Sequence, residues 1–143
     1  MKPLRLRQAV SLQAEAMYGE PLALAARVGP VFAKQREDGA GRGQFHRFEA
    51  VVCSAERVGV ILDHVKRQAA RLRAWRESGL ADEFLCWVNE KLPGHTAEVR
   101  RRMGEDLSPE EELTVKLLLV QEYVRALVAQ VEFDRTKSEV ERS

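Results

Sequence analysis

The chain has 143 residues, a formal net charge of +1, and 45% apolar against 31% charged residues. That length and balance fit one soluble domain with a real core and exclude a disordered chain. No apolar run approaches the roughly 18 residues of a membrane span, and two cysteines do not make a disulfide framework.

Only 9 Gly and 5 Pro punctuate a chain rich in Ala, Leu, Glu and Arg, which favours helix throughout. The start, MKPLRLRQAVSLQAEA, is basic but has no uninterrupted apolar core or cleavage site. It is not read as a secretory signal, and a cytoplasmic chain with reduced thiols is expected. A first helix is predicted from about Leu4 to Tyr18, with Leu6, Val10, Ala14 and Met17 on one stripe. Gly19 should end it. Pro21 should open a second helix reaching about Gln35, kinked or split by Gly29-Pro30. EDGAGRG, residues 37–43, reads as a flexible loop. It has neither a GKS/T ending nor a preceding strand, so it is not a phosphate-cradling loop.

A third helix should begin near Gln44 and turn Phe45, Phe48 and Val52 inward. Ser54 should cap its successor, which runs to about Arg76 with Val58, Ile61, Leu62, Val65, Ala69 and Leu72 at helical spacing. Gly79 should stop it. A short helix from Leu80 to Leu92 packs Phe84, Leu85 and Val88 and ends at Pro93-Gly94. Thr96 should cap one or two turns through Arg102. Ser108-Pro109-Glu110-Glu111 combines a cap, a first-turn proline and acids at the positive end of the helix dipole. The last helix, to about Lys137 with a frayed tail over 138–143, places Leu113, Leu117, Val120, Val124, Leu127 and Val131 in four-three alternation. Leu118, Leu119 and Val128 widen that stripe, so this helix should be central. The expected fold is an all-α, single-domain bundle of five to seven helices spanning 1–143.

The small net charge hides an asymmetry. Residues 1–76 carry 14 Lys/Arg and 7 Asp/Glu, whereas residues 77–143 carry 9 and 15. Such a split points to a polyanionic partner or to head-to-tail association. DHVKRQAARLRAWRES, 63–78, concentrates the positive charge. With Ile61 at the centre of the buried face, Arg57, His64, Arg67, Arg71 and Trp75 share one flank, beside Gln68. Lys66 and Arg73 lie on the other. Guanidinium groups match phosphate bidentately, and Trp75 is read mainly as a packing residue. Arg42 and Arg47, around GRGQFHRF, extend the patch. Arg100-Arg101-Arg102 lies among acids and ranks below it. A solvated helix face accounts for the same charges, and both readings stay open.

Cys53 and Cys86 are read as small core residues. No CxxC or HExxH spacing exists, and His46, His64 and His95 share no ligand spacing with the cysteines. Catalysis, a cofactor and a structural metal are therefore not expected. The acids of EDLSPEEE are read as support for a helix start rather than a metal site.

GQFHRFEAVV, then VKRQAARLRAW, then the apolar VQEYVRALVAQVEF, is an order that resembles the small helical subunit of type III CRISPR interference complexes, over about residues 40–135. The matching positions are Gln44, Arg47 and Phe48 in the first segment, and Ala69, Ala70 and Arg71 in the second. The acidic C-terminal half and Gly29-Pro30 depart from that pattern. The resemblance implies a non-catalytic subunit of an antiviral defence complex, stacked in copies along guide RNA or a guide–target duplex beside other subunits of the ribonucleoprotein. The competing class is a protein-interaction module or homodimeric adaptor without nucleic acid. A ligand-binding regulator is a third class, and would need a polar-lined pocket.

Overall fold

A computed structural model describes the backbone of residues 1–34 and 42–142, and the side chains of these except Lys34, Arg42, Ser138, Glu139 and Arg142. Every element among the described residues is helical, and the chain is an all-α bundle. The expected loop lies outside the described residues, apart from Arg42 and Gly43, which open a helix.

Helix α1 (Lys2–Ala16) starts with proline in its first turn and buries Leu6, Ala9, Val10 and Gln13. Helix α2 (Gly19–Lys34) begins at Gly19 itself, so that glycine starts a helix rather than separating two. Pro30 lies inside α2 without splitting it. Leu24, Ala25, Val28 and Phe32 are buried around it, and that packing outweighs the lost hydrogen bond.

Helix α3 (Arg42–Ser54) turns Phe45, Phe48 and Val52 into the core, as their spacing requires. Ser54 does not cap the next helix. Its hydroxyl bonds back to the Ala50 and Val51 carbonyls at 2.9 and 3.3 Å and finishes α3. Helix α4 (Val58–Arg71) instead starts after an extended Arg57 with no side-chain cap. The long helix expected to Arg76 breaks at Leu72, whose φ of −118° and ψ of 121° are extended. Helix α5 (Arg73–Glu77) follows in a new direction. Arg76 Nη1 reaches back to the Ala69 and Ala70 carbonyls at 2.9 and 3.1 Å, satisfying acceptors that the end of α4 leaves open.

Gly79 takes φ of 86°, a left-handed conformation that costs glycine nothing. It turns the chain into α6 (Leu80–Cys86). Pro93-Gly94 was expected to end this helix, and it does not. A π turn (Trp87–Lys91) leads directly into α7 (Leu92–Met103), making one uninterrupted run over 80–103. The wider π turn relieves the clash that a proline ring makes with the carbonyl four residues back. Thr96 is interior to α7, bonding to the Leu92 carbonyl at 2.9 Å rather than capping. Counting that run as one rod, the described chain holds seven helical rods.

Helix α8 (Pro109–Arg142) is capped as its sequence predicts. Ser108 N donates to Glu111 Oε1 at 2.8 Å and Glu111 N donates to Ser108 Oγ at 3.1 Å, a reciprocal capping box. The helix is central, packing against α1, α2, α3, α4 and α7. Val120, Val124, Leu127 and Val131 are buried and Leu117 partly so. Leu113 is 65% exposed, because at the helix start the buried face shifts to Val115 and Leu119. The helix continues to Arg142, beyond the frayed end expected near Lys137.

An aromatic group fills the core where α2 to α6 meet. Phe32 and Phe45 lie edge to face with centroids 4.6 Å apart, and Phe48 meets Trp75 at 5.2 Å and Phe84 at 5.7 Å. Such pairs add about 0.5–1.5 kcal/mol each beyond area burial. Trp75 is 1% exposed. The turn at Leu72 carries it off the cationic flank and into this group.

Candidate nucleic-acid interface

The α4 flank survives in part. His64, Arg67 and Arg71, at spacings of three, four and seven, share one side of the helix. Arg67 and Arg71 are exposed and His64 is half-buried. The rise of a helix sets Arg67 and Arg71 about 6 Å apart along the axis. Phe48 of α3 stacks on the His64 ring at 6.0 Å and 16°, and the Trp75 ring meets it edge-on at 6.1 Å. Burial, followed by the charges of Arg47 and Arg67, pushes the His64 imidazole below its ordinary range. The positive charges of Arg47 from α3 and Arg67 from α4 thus both act on one ring.

Among the described residues, Arg47, Arg57, Lys66, Arg67 and Arg71 pair with no carboxylate. Among the described residues Arg7, Lys91, Lys116, Arg135 and Lys137 likewise have no carboxylate partner, but several cations elsewhere are spent internally. Lys2 lies 3.0 Å from Glu111, Arg5 3.3 Å from Glu105, Arg27 2.9 Å from Glu83 and Arg100 3.1 Å from Glu112. Arg101 pairs with Glu98 at 2.9 Å, and Arg102 donates to Gln13 at 3.2 Å. The arginine triplet of α7 is thus occupied by intramolecular contacts, whereas the α3–α4 edge is open.

The remaining sequence-predicted residues distribute unevenly. Arg57 stands at the start of α4, about 15 Å from Arg67 by helix rise. Its guanidinium folds over Gly59, where an added Cβ would stand 3.0 Å from Nη1. Lys66 lies on the opposite flank of α4. Arg73 belongs to α5 and faces Glu77 at 3.6 Å. The Arg42 side chain lies outside the described residues. His64, named on the flank by spacing, is half-buried and packed on Phe48, which spacing alone did not announce.

Both cysteines are exposed, which corrects the core reading. Cys53 follows Val52 by one residue, a turn of about 100° away from the buried face. Cys86 lies across its helix from Leu80, Ala81 and Phe84. Its thiol donates to Glu90 Oε2 at 3.3 Å, and that bond first, with burial and the nearby charge adding, raises its pKa. The described residues hold no cluster of three or more His, Cys, Asp or Glu that could bind a metal ion.

A second polar group joins distant segments. Glu20 Oε1 accepts from Trp87 Nε1 at 2.8 Å and lies 2.9 Å from His95 Nε2. Tyr123 packs on Trp87 with centroids 4.1 Å apart. Burial, with Glu20 and Glu83 adding, pushes its phenol upward, so it stays protonated. Beside it, a cleft of about 260 Å³ lies between α1, α2 and α8, lined in part by Met17, Tyr18, Pro21 and Tyr123. Two of its charged side chains, Glu122 and Arg125, pair with each other at 3.3 Å. No sequence signal announced this group, because its members lie far apart in the chain.

No helix among the described residues is long and apolar enough to cross a membrane. No protein-family model matches the chain, no curated protein matches it, and no solved structure matches it.

Proposed function

We propose that this chain is a non-catalytic helical subunit of an RNA-containing complex, gripping RNA phosphates through the α3–α4 edge without reading sequence. The resemblance to the small subunit of type III CRISPR interference complexes supplies the class of complex. The observation that carries the reading is the exposed Arg67 and Arg71 one turn apart on α4, next to His64, on which Arg47 of α3 also acts, none of these arginines having a carboxylate partner. A cation already paired with an acid has little to gain from a phosphate, whereas an unpaired one releases phosphate counterions on binding.

The test is RNA affinity against salt. Arg67→Ala with Arg71→Ala should weaken binding to unrelated sequences and lower the log–log slope by about 1 to 2. Arg100→Ala with Arg101→Ala removes paired charges and should leave the slope near wild type. Full retention of the slope in the Arg67/Arg71 variant counts against the reading.

A protein-interaction module is the second reading, favoured by Phe133. That side chain is 62% exposed on α8, just past Val131, the last buried residue among the helix's described side chains. Partner capture that survives high salt and fails in Phe133→Ser, without RNA, would favour it.

A further inference from the structure

We infer that His64 is itself a phosphate-binding residue, joining Arg47 and Arg67 as an imidazolium when RNA occupies the face. The inference rests on the RNA reading and names its central contact. The geometry is particular to this ring. His64 shares its helix face with Arg67 one turn on and stacks on Phe48, the residue that follows Arg47, while the edge of Trp75 closes its other side. Its position is therefore fixed by packing while its outer side remains accessible.

The groups acting on the ring can be named for each element against it. From α3 it is Arg47, from α4 Arg67, and both are positive. From α5 it is Trp75, whose buried Nε1–H has no hydrogen-bond partner. In the free protein these surroundings hold His64 neutral, because a third positive charge would sit against two others in a partly desolvated place. A phosphate between Arg47 and Arg67 reverses the balance. Its negative charge offsets both guanidinium groups, and an oxygen gains an N–H donor once the ring is protonated. Binding then takes up one proton from solvent, with no other bond made or broken. By linkage, RNA affinity should rise as pH falls.

The experiment uses full-length protein and a uridine oligonucleotide, whose bases do not titrate in the window. Affinity should rise roughly tenfold from about pH 8 to about pH 5.5, the range expected from a nearby opposite charge. His64→Gln should flatten that rise while leaving a salt-dependent interaction. His46→Gln should keep it, since His46 faces Glu132 at 3.0 Å instead. Imidazole NMR on the wild-type protein provides a reading that no variant can confound: RNA should move the His64 titration upward. Binding with no pH dependence, a rise that persists in His64→Gln, or an unmoved titration overturns the inference and leaves the RNA reading standing. Absence of RNA binding at every pH in low salt removes both.

Discussion

Gln13 Nε2 lies 2.8 Å from His95 Nδ1, and this contact sets where the imidazole carries its proton. Arg102 Nε donates to Gln13 Oε1 at 3.2 Å, so the amide must present its NH2 to the ring. Nδ1 therefore accepts. The proton sits on Nε2, which donates to Glu20 at 2.9 Å, where Trp87 also donates. One donor–acceptor chain thus ties α1, α2, the π turn and α7.

Breaking this chain at its middle should cost stability without changing the fold. Gln13 is buried, and Gln13→Leu leaves His95 Nδ1 and the Arg102 Nε–H unpaired. A loss of about 1–3 kcal/mol is expected. It should appear as a lower urea midpoint at unchanged slope, with the helical spectrum intact. A midpoint equal to wild type would show that water replaces the amide at no cost.

The free protein should lose stability in mild acid through His64. Its folded pKa lies below the ordinary imidazole value of about 6.5, so the unfolded state binds the proton more readily. The contribution of the neutral ring is therefore present above about pH 6.5 and is lost as pH falls through the folded value. Melting temperature should drop less between neutral and acid pH in His64→Gln than in wild type. Equal drops would assign the acid sensitivity to other groups. This trend runs opposite to the RNA affinity proposed above, so the two measurements separate folding from binding.

Cys86 should be a sluggish nucleophile despite its exposure. The Glu90 carboxylate holds its proton, and the thiolate is the reactive form. In a Cys53→Ser background, alkylation of Cys86 should quicken when Glu90 becomes Gln. An unchanged rate would mean that the 3.3 Å contact does not govern the thiol.

Much of the fold was legible because helical periodicity is a local signal. Phe45, Phe48 and Val52, the helix start at Ser108 with its cap and acids, and the centrality of α8 all follow from spacing within one element. The errors fall where tertiary packing overrides local chemistry. Pro30 and Pro93 read as helix breakers, but buried neighbours and a π turn keep both in helical runs. Conversely, nothing in AARLRAW marks Leu72 as extended, and that bend separates the arginines of α4 from Trp75. The cysteines mislead because each lies within an apolar run but at a helical angle that points away from the buried face. The α4 cations were readable from spacing alone. Arg47 was joined to them through GRGQFHRF, but that its charge acts on His64 in particular was not readable, since it depends on how α3 lies against α4.

Trp75 gives the cleanest separation of packing from recognition. Its place on the sequence flank offers a base-stacking platform, but the folded ring is enclosed by Phe32, Phe48 and His64. Trp75→Ala should therefore cost about 3–5 kcal/mol, the range for emptying a buried aromatic site. Trp75→Phe should cost much less, because it keeps most of the ring contacts and removes an indole N–H that is buried without a partner. Neither effect should resemble the loss of a phosphate contact. Trp75→Phe, if folded, should retain the wild-type salt slope for RNA, whereas Arg67→Ala with Arg71→Ala should flatten it at little cost to stability. Urea unfolding and salt-dependent binding on the same two variants make the comparison. A Trp75→Phe protein with unchanged stability and strongly weakened RNA binding would mean that the indole reaches the RNA after all.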